Sequence, residues 1–182
     1  MISHFIPYGD WPAGLRHWRR PAGRARWGAR GGVRGLDQFL STFTNRIDKK
    51  GRVSVPADWR AVLAARQSVG VLLFPAVYEP AIQGAGQDYL AELDRDIDAL
   101  PRGSAERDDL IYTLKPSIRA FQWDSEGRLV LNDDLIAYAK LDEVATFVGL
   151  GQWFQIWRPE AWAVREAEAK QRVRAPRARP TT

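Results

Sequence analysis

Two stretches of this sequence carry residues that could do chemistry, and it would be the same chemistry twice. Asp48-Lys49-Lys50-Gly51-Arg52 and Asp124-Ser125-Glu126-Gly127-Arg128 share the pattern Asp-x-x-Gly-Arg at an offset of 76 residues. A tight turn projects the side chain that follows it from a rigid edge, and a guanidinium there can bond a phosphate or a guanine edge with paired donors. The competing role for each arginine is an ion pair with the aspartate that opens its own turn. In the first copy Lys49 and Lys50 add phosphate neutralisation, and Arg46 and Arg60 lie close enough in sequence to widen the basic face or to remain solvated charges. Arg52 is therefore expected to contact DNA. Arg128 is flanked by Asp124 and Glu126, so structural pairing ranks ahead of DNA contact there, and the two halves are expected to be unequal.

Other chemistries have little to build on. There is no cysteine, which removes disulfides, thiolate metal sites and cysteine nucleophiles and fits a reducing cytoplasm. Both histidines, His4 and His17, fall in an unusual N-terminal stretch, so the rest of the chain has no imidazole for base catalysis or zinc binding. Carboxylates are plentiful, but no nucleophile or phosphate-cradling glycine loop accompanies them. No catalytic residue, cofactor, metal or small-molecule substrate is expected. Nor does any apolar run approach the length of about 20 residues that a spanning helix needs, and no signal peptide is visible, so no membrane partner is expected.

The distribution of charge says more than its sum. The 182 residues carry a net charge of +5 and 45% hydrophobic residues, enough to bury one or two small cores. Residues 1–36 hold seven arginines against Asp10, and residues 172–182 hold four against no acid, leaving sixteen basic and twenty-one acidic residues in 37–171. The positive excess thus sits at the ends. Within the body, residues 39–60 carry a net of +3 and residues 77–110 a net of −6. One region could meet phosphate while the other faces solvent or partner subunits.

The elements that must position the two turns follow from patterning. Residues 1–36 contain seven of the fifteen glycines and no periodic apolar pattern, and are expected to be a disordered basic extension, of the kind that a start assigned too far upstream would add. From Phe39 to Ile47 alternation predicts a strand. Asp48 to Gly51 fits a type I turn. Arg52 to Val55 resumes the strand until Pro56, and Asp58 is placed to cap a short helix with Trp59, Val62 and Leu63. Val71 to Pro75 reads as a buried strand, and Leu90, Leu93, Ile97 and Leu100 as a helix stopped by Pro101 and Gly103. Ser104 opens a second helix with Ile111, Leu114 and Ile118. The first pattern then returns: Phe121 to Trp123, the second turn, Arg128 to Leu131, and a helix started by Asp134. In Gln152 to Trp157, alternation suits a strand buried on both sides or at a subunit contact, rather than a base-stacking platform. Pro159 and Glu160 suit the first turn of a terminal helix whose Trp162 docks back on a β-barrel.

The order strand, Asp-x-x-Gly-Arg, strand, short helix, strand, twice over with a helical insert, resembles the MraZ family across roughly residues 39–165. The closest matches are Asp48 to Pro56 and the closing run Val148 to Trp157. The sequence departs from the pattern where Asn132 replaces the counterpart of Pro56, and in its N-terminal extension. The resemblance implies an α+β, β-rich fold in which two tandem repeats form an AbrB-like swapped-hairpin, double-psi-like β-barrel with peripheral helices. Its expected parts are a first repeat at 37–103, a helical connector at 104–119, a second repeat with a terminal helix at 120–171, and a disordered basic tail at 172–182. It also implies a homo-oligomeric closed ring, cytoplasmic and nucleoid-associated, that binds short direct repeats of double-stranded DNA upstream of its own division and cell-wall operon. By the same resemblance Arg52 and Arg128 are the carried-over signature arginines, with Asp48, Gly51, Asp124 and Gly127 completing the turns. An alternative from another class is an oligomeric scaffold or antitoxin-like module whose main ligand is protein.

Overall fold

The computed structural model describes residues 37–174, so the expectations for 1–36 and for 175–182 lie outside the described residues. The chain is α+β, with one six-stranded antiparallel sheet, a separate two-stranded ribbon and five helices among the described residues.

The first half runs β1 (Thr42–Arg46), the first turn, β2 (Arg52–Ser54), α1 (Ala57–Ala65), β3 (Val71–Pro75) and β4 (Ala81–Ala85). The expected strand from Phe39 begins its ladder only at Thr42, because Ser41 has a φ of 72° and breaks the alternation. Phe39 instead makes its own bridge to Gly151, and Ile47 one to Val53. Two helices follow, α2 (Tyr89–Asp98) and α3 (Ala105–Leu114), the second capped by Ser104, whose side chain accepts from the Arg107 backbone N–H. They pack Leu93, Ile97, Leu110 and Leu114 against Phe74 in a small core of their own. After a 3-10 turn at Lys115–Ser117, the second half runs β5 (Arg119–Phe121), the second turn, β6 (Arg128–Val130), α4 (Asp133–Tyr138), β7 (Val144–Gly149) and β8 (Trp153–Trp157). The terminal helix α5 (Pro159–Arg174) ends three residues into the stretch expected to be tail. No helix among the described residues is long and apolar enough to cross a membrane.

Strands are exchanged between the halves. The sheet order is β1-β7-β8-β4-β3-β5, so β1 pairs with β7 of the second half, β5 pairs with β3 of the first, and β4 meets β8 in the middle. Exchanging the halves leaves this order unchanged. The ribbon obeys the same rule, since β2 pairs with β6 around Val53 opposite Leu129. The expected barrel is not closed by hydrogen bonding: among the described residues the sheet ends at β1 and β5, and the ribbon forms a ladder apart from it.

Strand β4 has no counterpart among the sequence-based expectations. Its residues, Ala-Ile-Gln-Gly-Ala, are mostly small and carry no clear alternation, but small size is what the position requires. Gly84 lies opposite Phe154 of β8, whose ring occupies the space a Cβ would fill.

One apolar core joins both halves beneath the ribbon. Trp59 of α1 lies at its centre, fully buried, with the rings of Phe39, Phe43, Phe147 and Phe154 around it at centroid separations of 4.9 to 6.0 Å. Its indole Nε1–H donates to the Leu40 carbonyl at 2.9 Å, which satisfies the polar atom that burial would otherwise strand. Val53 and Leu129, on the inner face of the ribbon, close this core from above. Trp157 joins Trp162 in a third cluster that docks the start of α5.

Candidate nucleic-acid interface

Each turn is built by its aspartate. Asp48 accepts from the backbone N–H groups of Lys50 at 2.8 Å and Arg52 at 3.0 Å, and Asp124 does the same for Glu126 at 2.9 Å and Arg128 at 3.0 Å. Both turns close with a glycine in the left-handed region, Gly51 at φ 72° and Gly127 at φ 77°, donating to the aspartate carbonyl at 2.9 Å. These bonds favour the ionised carboxylate. Asp48 is held down to about 2, chiefly by the Arg52 backbone N–H, against partial desolvation and with help from the Arg52 guanidinium and the Lys50 N–H. Asp124 is lowered for the same reasons, led by the Arg128 backbone N–H.

The helices that follow the turns also cross between halves. Ile136 of α4 lies beside Gly51, whereas the Arg60 guanidinium of α1 lies directly over Gly127. Arg60 and Ile136 stand 76 residues apart, at equivalent positions of the two copies. Arg60 thus lies against the turn of the other half, and its Nε is buried without a hydrogen-bond partner among the described residues. The helix starts differ as well. Asp58 sits in the first turn of α1 and makes no cap, the N-cap position being Pro56, while Asn132 caps α4 by accepting from the Leu135 N–H at 3.4 Å. Asn132 thus adds a side-chain cap at the position where the first copy has proline.

The ribbon brings the two signature arginines onto one surface. Val55 N–H donates to the Gly127 carbonyl and Leu131 N–H to the Gly51 carbonyl, both at 2.9 Å. This register makes Val53 opposite Leu129 a hydrogen-bonded pair, and Arg52 opposite Val130 and Ser54 opposite Arg128 the closer non-hydrogen-bonded pairs. Val53 and Leu129 point into the core. The other four share the outer face, with Arg52 and Arg128 diagonal to each other. Asp48 contributes to raising Arg128, after the larger effects of Asp124 and Glu126, so the two turns lie within electrostatic reach.

Here the halves diverge. Arg52 uses its Nε to bond Asp48 at 2.6 Å, and its terminal nitrogens take no further hydrogen-bond or ion-pair partner among the described residues. Arg128 bonds Asp124 through Nε and Nη2, each at 2.8 Å, and Glu126 through Nη1 at 2.7 Å. One fork is presented outward and the other is occupied. Lys49, Lys50 and Arg46 are exposed, and none of them forms an ion pair among the described residues. Those groups accompany the free fork, whereas the equivalent turn positions in the second half are Ser125 and Glu126.

The model of the family described as "MraZ protein, putative antitoxin-like" matches residues 119–182. Across a longer span, the chain is 42% identical over 139 residues to the transcriptional regulator MraZ of Xanthobacter autotrophicus, covering 76% of this chain and 88% of that protein. The chain belongs to the MraZ family. Its similarity extends to the transcriptional regulators MraZ of Azorhizobium caulinodans, 40% identical over 139 residues with 76% and 88% covered, and of Beijerinckia indica, 42% identical over 139 residues with 76% and 85% covered. The chain carries both signature turns on one ribbon. Sequence reading missed the crossed positions of Arg60 and Ile136, although the 76-residue offset already made them equivalent. It also passed over Val130, the one apolar side chain on the ribbon's outer face.

Proposed function

We propose that this chain is a DNA-binding transcriptional regulator that applies the Asp48–Arg52 turn to double-stranded DNA. The observation that carries this reading is the difference between the two arginines. The Arg52 fork is free beside exposed Lys49 and Lys50, while that of Arg128 is filled by Asp124 and Glu126. A planar fork pinned at Nε keeps two terminal groups preorganised for a phosphate or a base edge, so little rotamer entropy is lost on binding. Arg46, Lys49 and Lys50 supply the surrounding phosphate neutralisation, and Arg128 serves mainly to hold its own turn.

The finer reading follows the family resemblance. Residues 37–103 and 120–171 act as two repeats of an AbrB-like swapped-hairpin unit joined by 104–119, and the exchange of β1, β2, β5 and β6 between halves supports this division. Several protomers assemble in a ring and lay their first turns on spaced direct repeats in the promoter of the protein's own division and cell-wall operon, in the nucleoid. Affinity then comes from tethering, because each turn makes few contacts and later contacts become local events. Regulation of this kind requires no catalytic step.

The test is fluorescence anisotropy of the full chain with labelled DNA from upstream of its own gene and with a scrambled control, at two salt concentrations. Specific, salt-sensitive binding that Arg52→Ala weakens at least about tenfold is expected. Equal binding to both DNAs would transfer the reading to a scaffold or antitoxin-like module, for which the acidic α2 and α3 layer is the available surface.

A further inference from the structure

Among the four side chains on the ribbon's outer face, three are polar and one is not. Val130 is 54% exposed, between Arg52 directly opposite and Arg128 two residues before it on its own strand. Non-hydrogen-bonded antiparallel pairs bring side chains within about 5 Å, so the valine methyls stand beside the root of the free Arg52 fork. The equivalent position in the first half is Ser54, which shows that the ribbon geometry does not itself require an apolar residue there. A two-stranded ribbon fits the major groove, where the thymine C5-methyl is the one apolar mark on a base edge.

We propose that Val130 is a specificity-determining residue that packs against a thymine methyl, within a base step or so of the base pair that Arg52 meets. This rests on the DNA-binding reading above and adds a second kind of contact to it: Arg52 supplies charge and donors, and Val130 supplies apolar discrimination. The split also gives the second half a share in recognition although its own arginine is occupied. Reading comes from β6 and charge from the turn before β2.

The test replaces thymine by deoxyuridine, one position at a time, in DNA from upstream of the protein's own gene. This removes the methyl and leaves charge and hydrogen bonding unchanged. With the full wild-type chain, at least one substitution is expected to weaken binding about three- to fivefold, the value of one buried methyl group. In Val130→Ser, which copies Ser54, the same substitution should change nothing, while specificity for the natural fragment over scrambled DNA falls and the oligomer mass measured by light scattering stays the same. Circular dichroism checks that the variant is folded; if it is not, the wild-type deoxyuridine series decides alone. Failure of the wild type to prefer its natural DNA would remove the regulator reading itself. Preference for that DNA without any deoxyuridine effect, or a deoxyuridine effect that survives in Val130→Ser, would overturn only the role of Val130. A change in oligomer mass with unchanged thymine discrimination would reassign Val130 to a contact between copies of the chain and would overturn it too.

Discussion

Arg60 lies over Gly127 so closely that a Cβ on that glycine would stand 2.5 Å from the guanidinium Cζ, and the two residues belong to opposite halves of the chain. Gly127→Ala must therefore both adopt a left-handed backbone, at about 1–2 kcal/mol, and displace Arg60. Urea denaturation should show a loss larger than that of the backbone alone, and Arg60→Ala should recover the excess in the double variant. Gly51→Ala offers the contrast. Its Cβ would meet the Leu131 carbonyl oxygen at 2.9 Å, part of a fixed backbone, so Arg60→Ala should give no relief there.

The two signature arginines should respond differently to substitution. Arg52→Ala is expected to weaken binding to the natural upstream DNA at least about tenfold, as loss of a paired-donor contact does, and to reduce the salt dependence. Arg128→Ala should act mainly on stability, since its three nitrogens serve Asp124 and Glu126. Glu126→Gln should remove a negative charge from the face and weaken the hold on Nη1 of Arg128, tightening binding by about two- to fivefold at low salt. Anisotropy titrations at two salt concentrations distinguish the three variants.

The first turn should respond to acid in a defined window. Asp48 is held at about 2, below its ordinary value of 3.8, so the folded state binds its proton less readily than the unfolded chain. Its contribution is complete above the unfolded value and is lost as pH falls from about 4 through about 2. Asp48→Asn should flatten stability against pH in that interval and leave it unchanged between pH 5 and 7 apart from a constant offset. Carboxyl NMR titration of Asp48 would measure the depressed value directly.

The centre of the sheet should be intolerant of one added methyl. Gly84→Ala drives a Cβ into the Phe154 ring, in a core already closed by Trp59, Phe39 and Phe147. A loss of about 1–3 kcal/mol is expected from overpacking, visible in the denaturation midpoint. Phe154→Leu in the same chain should recover part of it, whereas Phe154→Leu alone should destabilise.

What could be read from sequence was whatever local rules control. The turns announced themselves because Asp, Gly and Arg at fixed spacing satisfy backbone donors within five residues, and Ser104 announced α3 by the same logic of a local cap. The start of α5 at Pro159 followed from the proline, whereas the partner of Trp162, Trp157, is seen only in the structure. Strand β4 stayed hidden because its identity is set by what covers it: a Gly-Ala segment is a strand here through its partners β3 and β8, more than 60 residues apart in the latter case. The pairing of β2 with β6 is likewise a long-range fact, and with it the placement of Arg52, Arg128 and Val130 on one face. Arg60 lies eight residues from Arg52 yet packs against the other turn, a placement that depends on the long-range pairing of β2 with β6.

Strands of the first half pair with strands of the second, and the two turns lie in one chain. Two separate copies of a single half would have had to carry identical turns, and any acid that quieted one guanidinium would have quieted its twin. Covalent linkage lifts that constraint. Lys49 and Lys50 could be kept beside one arginine while Glu126 closed on the other, and Ser54 could stay polar while its counterpart became Val130. The divergence of the two turns, one fork free and the other held by Asp124 and Glu126, is thus a freedom of two turns that lie in one chain.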